Sequence, residues 1–145
     1  MRIHFIGIGG IGISALAKYY LYNGHTISGS DLNYPIVFSK KELKSITFYL
    51  GHKKSNLKKD TDLVIYTSAI KEDNPELIKA KELGIPILSY PQALGELTKN
   101  YFTIAISGMH GKSTTTAMIS NIFIKAGLDP TVIIGTKVKG FGINN

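Results

Sequence analysis

Two glycine-rich segments contain the residues whose types and spacing suggest chemistry in this 145-residue chain. The first covers residues 7–12 and fits the pattern G-x-G-x-x-G with one additional glycine. Glycines allow a tight turn and a close backbone approach, so that N–H groups and the positive end of a helix can contact a diphosphate. We therefore expect a nucleotide diphosphate to bind here, at Gly9, Gly10, Ile11 and Gly12. The alternative is that the glycines serve only to pack a helix tightly on a sheet.

An acidic residue follows this first segment at the distance where the motif places a ribose-binding carboxylate. Asp31 comes about 20 residues after the glycines, at the end of a predicted strand. Two interpretations stay open, because Ser-Asp after a strand is also ordinary turn chemistry. Asp31 either binds the ribose of a nucleotide or stabilises a turn.

The second segment resembles a phosphate-binding loop. Its residues are Gly108, Met109, His110, Gly111, Lys112, Ser113 and Thr114. Such a loop surrounds phosphates with N–H groups, its lysine contacts the β- and γ-oxygens, and its hydroxyl binds Mg²⁺. Lys112 and Ser113 supply the last two groups, although the loop is shorter than G-x-x-x-x-G-K-[ST] because position 106 is isoleucine. The alternative is a turn whose serine and threonine cap a helix.

Composition and charge exclude several classes of protein. The chain has no cysteine, which excludes a disulfide scaffold, a thiolate zinc site and a cysteine nucleophile. Its net charge is +7, and residues 99–145 hold five basic side chains and one acid, Asp129, which favours an anionic ligand. No apolar run is long enough for a membrane span, and glycines interrupt the apolar N-terminus, so we expect a cytoplasmic protein without a membrane partner. The aromatic residues lack the pattern of a nucleic-acid platform.

Strands and helices alternate along the chain. The hydrophobic pattern predicts strands at residues 3–8, 26–30, 45–50, 63–67, 85–89, 102–107 and 131–134. It predicts helices after each glycine segment, from the Asn74-Pro75 start signal, and over residues 91–98. Right-handed crossovers between such units produce an α/β fold with a mostly parallel sheet.

The alternation predicts two domains. Residues 1–98 form a Rossmann-like domain, and residues 99–145 begin a P-loop ATPase domain. Residues 99–145 contain only one predicted helix and two predicted strands, which leave a helix face and two sheet edges uncovered. We therefore expect this chain to be the front of a longer protein.

Four blocks of the sequence resemble the Mur ligases of peptidoglycan synthesis. They are residues 3–14, 28–31, 67–70 with 74–77, and 107–116. The second loop is similar to the family's G-T-H-G-K-T, with Met109 and Ser113 at the two threonine positions. The double glycine Gly9-Gly10 and the following Ile13-Ser14 resemble the alanine-adding members most.

This resemblance implies an ATP-dependent ligase of three domains whose substrates are UDP-N-acetylmuramate and L-alanine. The first loop would face the UDP diphosphate rather than NAD, with Asp31, Ser68 and Ala69 near the nucleotide. The γ-phosphoryl of ATP would pass to the lactyl carboxylate, and alanine would attack the resulting acyl phosphate. Lys112 would be the catalytic residue, and Ser113 would hold Mg²⁺.

The sequence departs from a complete ligase in one respect. Asp129 is the only carboxylate after Glu96, it lies in a predicted turn, and the family's next acidic motif is absent. We therefore expect this chain to bind ligand without catalysing. Two other functions stay open: an NAD(P)-binding oxidoreductase domain, which leaves the second loop unexplained, and a stand-alone module that binds a UDP-sugar.

Overall fold

The structure, a computed structural model, describes residues 1–136 and residue 138. Strands and helices alternate, which confirms the α/β class. In chain order the elements are β1 (Arg2–Ile6), α1 (Ile11–Tyr22), β2 (Thr26–Asp31), α2 (Lys40–Ser45), β3 (Ile46–Leu50), a 3-10 helix (Lys54–Asn56), β4 (Leu63–Tyr66), α3 (Pro75–Glu82), β5 (Ile87–Ser89), α4 (Tyr90–Thr98) and α5 (Lys112–Lys125). Within the described residues, no helix combines the length and the apolar character needed to cross a bilayer.

The five strands form one parallel sheet in the order β3-β2-β1-β4-β5. In the central strand β1, Ile3 is in register with Ile27 of β2 on one side and Leu63 of β4 on the other. The chain builds outward from β1 to β3 and then crosses to β4, so the strand order reverses beside β1. Ligands of open α/β sheets bind at such a reversal, outside the carboxyl ends of the strands.

Alternate residues of β1 pack on opposite faces of the sheet. Ile3 and Phe5 belong to the larger core cluster, which includes residues of α1 and α4. Ile6 belongs to a second cluster with Leu77 and Ala80 of α3. This alternation is the period of two expected for a strand, and it places helices on both faces.

Side-chain caps define where α2, α3 and α4 begin, and the cap of α4 is Ser89. As predicted, Asn74 caps α3, and its Oδ1 accepts hydrogen bonds from the Glu76 N–H at 2.9 Å and the Leu77 N–H at 3.4 Å. Helix α2 was not predicted, although Ser39 and Glu42 form a reciprocal capping box at its start. The serine-x-x-glutamate pattern was the available signal, and the neighbouring lysines obscured it.

The two strands predicted after residue 100 are wrong. Residues 102–107 and 131–134 are irregular, and Phe102 is 96% exposed. A strand forms only where a neighbour accepts its backbone hydrogen bonds, and among the described residues all strand pairs lie within the sheet of β1 to β5. Val132 and Ile134 instead pack against α5. The last part of the predicted second domain, residues 137 and 139–145, lies outside the described residues.

Two tyrosines join the part of the chain after residue 98 to helix α1. The Tyr19 and Tyr101 hydroxyls are 2.5 Å apart, and the two rings meet edge to face with centroids separated by 6.2 Å. This hydrogen bond, together with burial, raises the pKa of Tyr19 to about 12. Ile133 also packs against the larger core cluster. The boundary between residues 98 and 99 remains a prediction.

Candidate nucleotide-binding site

The first glycine segment forms a tight turn between β1 and α1. Gly7 has a φ of +82°, a value that L side chains rarely adopt. The N–H groups of Gly7 and Ile8 both donate to the carbonyl of Ser30, at 2.8 and 3.1 Å. The Gly10 N–H donates to the Gly7 carbonyl at 3.2 Å. The loop is therefore held by the end of β2 and by its own backbone.

The glycines also have packing partners at short range. A Cβ on Gly9 would lie 2.9 Å from Asp31 Oδ2, and one on Gly12 would lie 2.9 Å from the Tyr90 hydroxyl. A Cβ on Gly7 would lie 3.0 Å from the Thr67 side chain. Tight packing, the alternative considered for these glycines, is thus present. It is compatible with ligand binding, because it brings the backbone close to the edge where a ligand would lie.

Helix α1 begins with N–H donors that have no partner among the described residues. Its cap is Gly10, which offers no side-chain acceptor, and the first N–H that bonds back to the Gly10 carbonyl is that of Ser14, at 2.9 Å. The N–H groups of Ile11, Gly12 and Ile13 are therefore the free donors of the first turn. With the positive end of the helix dipole, they make a site suited to a phosphate group.

The Asp31 side chain is hydrogen-bonded to the first glycine loop. Its Oδ2 accepts a hydrogen bond from the Gly9 N–H at 2.9 Å, and its Oδ1 accepts one from the Asn33 N–H at 3.1 Å. The turn-stabilising interpretation is therefore observed. Each carboxylate oxygen can accept a second hydrogen bond, so binding of a ribose hydroxyl by Asp31 stays a prediction.

Ser68 and Ala69 lie in the turn that follows β4, and both are exposed. The Thr67 N–H donates to the Ile6 carbonyl at 3.2 Å, which ties the start of this turn to the end of β1. The fold thus brings the turn and the glycine loop to the same edge of the sheet, beside the reversal of strand order. A contact of these residues with a nucleotide is still a prediction.

The second loop is exposed throughout. Gly108 and Gly111 have φ values of +151° and +77°, which explains the need for glycine at Gly111 in particular. The Lys112 Nζ donates to the carbonyls of Gly108 at 2.5 Å and Met109 at 3.1 Å. Lys112 and Ser113 begin α5, and the first N–H to bond back is that of Thr115, to the Gly111 carbonyl. The loop therefore has the donors expected of a phosphate site.

The described residues provide few ligands for Mg²⁺. They contain no group of three or more His, Cys, Asp or Glu side chains able to hold a metal. Ser113 offers one hydroxyl oxygen, and Asp129 lies in irregular chain beyond α5 with a φ of 44°. Mg²⁺ in nucleotide sites is held by phosphates and waters beside one or two protein oxygens. Ser113 fits that limited role.

A buried polar cluster near the first glycine loop was not predicted. It includes Glu76, which is fully buried on α3 although carboxylates rarely are. Burial raises the pKa of Glu76, but the nearby His4 ring and hydrogen bonds from Ser30 and Asn56 outweigh it and leave that pKa below 4.5. The folded chain therefore favours the ionised form of Glu76 over the protonated form, and the stability that this adds above about pH 4.5 is lost as the pH falls through the lowered pKa. The only sequence signal was polar residues alternating along β1 and β2.

The parallel sheet and the glycine turn after β1 define an α/β protein of Rossmann-like topology, with a second glycine loop at the start of α5. Residues 2–102 match the family model described as the Mur ligase family, catalytic domain. The chain belongs to the Mur ligase family, as the resemblance indicated.

Individual relatives agree with this assignment. The chain is 54% identical over 144 residues to the UDP-N-acetylmuramate–L-alanine ligase of Acetivibrio thermocellus, covering 99% of this chain and 30% of the relative. The crystal structure of the UDP-N-acetylmuramate–alanine ligase of Thermotoga maritima matches with a TM-score of 0.87 and 34% identity, over 95% of this chain and 32% of that one. A Neisseria ligase for UDP-N-acetylmuramate and L-alanyl-γ-D-glutamyl-meso-diaminopimelate also has a TM-score of 0.87, at 31% identity, over 99% of this chain and 45% of that one. This chain thus spans about 30% of the length of the curated relative.

Proposed function

We propose that this chain binds UDP-N-acetylmuramate at the glycine loop between β1 and α1. The observation that supports this most directly is the open first turn of α1, whose three unpaired N–H groups begin at Ile11 beside the reversal of strand order. A diphosphate would accept these donors, and the turn at Ser68 and Ala69 would contact the nucleotide from the side of β4. The names of the relatives support the sugar nucleotide over NAD(P).

The second loop would bind ATP in the same protein. Lys112 would exchange its contacts with the loop carbonyls for the β- and γ-phosphate oxygens, and Ser113 would give a hydroxyl to Mg²⁺. Bound Mg²⁺ would offset phosphate charge. We propose that the whole protein transfers the γ-phosphoryl of ATP to the lactyl carboxylate, releasing ADP, and that the L-alanine amine then displaces phosphate to form an amide. We propose that this reaction takes place in the cytoplasm.

Calorimetric titration of the 145-residue protein tests the first part of this proposal. We expect saturable binding of UDP-N-acetylmuramate and no binding of NAD⁺ under the same conditions. UDP alone should also bind, because under this proposal the donors of the glycine loop would contact the diphosphate rather than the sugar. Binding of NAD⁺ in the absence of UDP-sugar binding would overturn the proposal in favour of an oxidoreductase domain.

The same polypeptide should not release phosphate from ATP when UDP-N-acetylmuramate, L-alanine and Mg²⁺ are present. The physical reason is the supply of metal ligands: after Glu96 the chain has one carboxylate, Asp129. Phosphoryl transfer depends on positioned charges around the γ-phosphate, and one hydroxyl with one lysine is a small part of such a set. A phosphate-release assay checks this, and turnover that depends on both substrates would contradict it.

A further inference from the structure

The buried polar cluster between β2 and α3 surrounds the carboxylate of Glu76. Its Oε2 accepts a hydrogen bond from the Ser30 hydroxyl at 2.5 Å. Its Oε1 accepts hydrogen bonds from Asn56 Nδ2 at 2.5 Å and from the Lys53 N–H at 3.3 Å. Both oxygens are thus satisfied, within a region that is closed to solvent. The cluster joins α3 to β2 and to the chain that follows β3.

Two histidines complete the surroundings of this carboxylate. His52 Nδ1 lies 2.9 Å from Ser30 Oγ and 3.5 Å from Glu76 Oε2. Because the single proton of the Ser30 hydroxyl is donated to Glu76, hydrogen-bond counting assigns a proton to His52 Nδ1, which donates to Ser30. His4 Nε2 lies 3.6 Å from Glu76 Oε2, which is too long for a hydrogen bond and leaves an electrostatic contact.

A buried carboxylate of this kind costs free energy that an apolar side chain at the same place would not. Packing of α3 on the sheet does not require it, since Leu77 and Ala80 of the same helix already lie in an apolar cluster with Ile6. A role other than packing would therefore explain why a carboxylate is buried here. The position of Ser30 indicates which role that is.

Ser30 connects the buried carboxylate to the glycine loop. Its side chain donates to Glu76, whereas its backbone carbonyl accepts the N–H groups of Gly7 and Ile8. These two bonds set where the loop leaves β1 and hence where the first turn of α1 lies. We propose that Glu76 is a positioning residue for the anion site, which acts through Ser30 to place the glycine loop and the free N–H groups at the start of α1. This inference rests on the proposed function of that loop.

Two substitutions test the connection from its two ends. Ser30→Ala removes the hydroxyl and keeps the carbonyl, and Glu76→Gln removes the charge and keeps the shape. Glu82→Gln is the matched control, because Glu82 is also on α3 but is exposed and pairs with exposed Lys54. Binding of UDP-N-acetylmuramate and the backbone amide resonances of Gly7 and Ile8 are measured for each variant, together with its urea midpoint.

We expect Ser30→Ala and Glu76→Gln to weaken binding by about tenfold, because a less firmly placed loop weakens its charge-assisted hydrogen bonds to the diphosphate. The Gly7 and Ile8 resonances should shift in both variants before ligand is added, and Glu82→Gln should change neither readout. A merely structural cluster would lower the urea midpoint alone. If Glu76→Gln does not fold, Ser30→Ala carries the test, because it leaves the carboxylate with Asn56 and Lys53.

The outcomes separate this inference from the proposed function. Unchanged affinity and unchanged Gly7 and Ile8 resonances in the folded variants would overturn the positioning role while leaving the binding site intact. Failure of the unmodified protein to bind UDP-N-acetylmuramate would overturn the proposed function instead. The amide resonances would then still report whether Glu76 sets the geometry of the loop.

Discussion

Replacement of Gly9 by alanine should weaken the binding of UDP-N-acetylmuramate by about 100-fold, which is the size of one lost hydrogen bond to a charged group. The backbone of Gly9 is not in the left-handed region, so alanine is tolerated there locally. The added methyl, however, would lie 2.9 Å from Asp31 Oδ2. The carboxylate or the loop must then move, the bond from the Gly9 N–H to Asp31 is lost, and the donors at the start of α1 shift away from the diphosphate. Calorimetric titration gives the change in affinity.

Gly95→Ala is the matched control for this experiment. Gly95 lies in α4, is exposed, and has no atom within 4 Å of an added Cβ. The same chemical change there should leave affinity unchanged and raise stability by up to about 1 kcal/mol, because alanine favours a helix over glycine. Combining Gly9→Ala with Asp31→Ala removes the atom that the methyl meets, so the double variant should lose less affinity than the sum of the two single losses. Full affinity in Gly9→Ala alone would show that the diphosphate binds elsewhere.

Phe5→Ala should lower the free energy of unfolding by about 3–5 kcal/mol, the usual loss for removing a buried aromatic ring. Phe5 is fully buried in the central strand, and its ring lies 6.3 Å from that of Tyr20. Removal of the ring leaves a cavity between β1 and α1 that the surrounding side chains cannot fill completely. Urea unfolding followed by tyrosine fluorescence measures the effect, since the chain has eight tyrosines and no tryptophan.

Phe102→Ala is the corresponding control, because the same ring is 96% exposed at that position. Its effect should stay within about 0.5 kcal/mol, as for other surface substitutions. If Phe5→Ala is too unstable to refold, Phe5→Leu should show a smaller loss in the same direction. Equal losses at Phe5 and Phe102 would mean that the core is not centred on β1.

Local signals in the sequence predicted most elements of the sheet domain correctly. The glycine segment was placed between a strand and a helix, and the apolar face of α1 was predicted from its period: Ile13, Leu16 and Ala17 are buried. The start of α3 at Asn74-Pro75 was also correct. These features depend on residues a few positions apart, where backbone preferences and helical period act directly.

The same local reasoning failed for the segment after residue 100. An apolar run at 102–107 has the composition of a buried strand, yet its conformation depends on neighbours that supply hydrogen bonds and cover its faces. Within the described residues, those neighbours are not at this segment. Hydrophobic pattern therefore indicates what a segment can form, and pairing decides whether it does.

The sequence by itself determined the α/β class, the positions of the two glycine loops and the resemblance to the Mur ligases, because these depend on residue types at short spacing. Only the tertiary structure decided the strand order, the use of the Asp31 carboxylate to hold Gly9, and the burial of Glu76 against Ser30, which lies 46 positions away. Contacts of that kind join elements that approach each other only after the sheet has formed. They are set by packing geometry across the fold, which no local pattern of residues encodes.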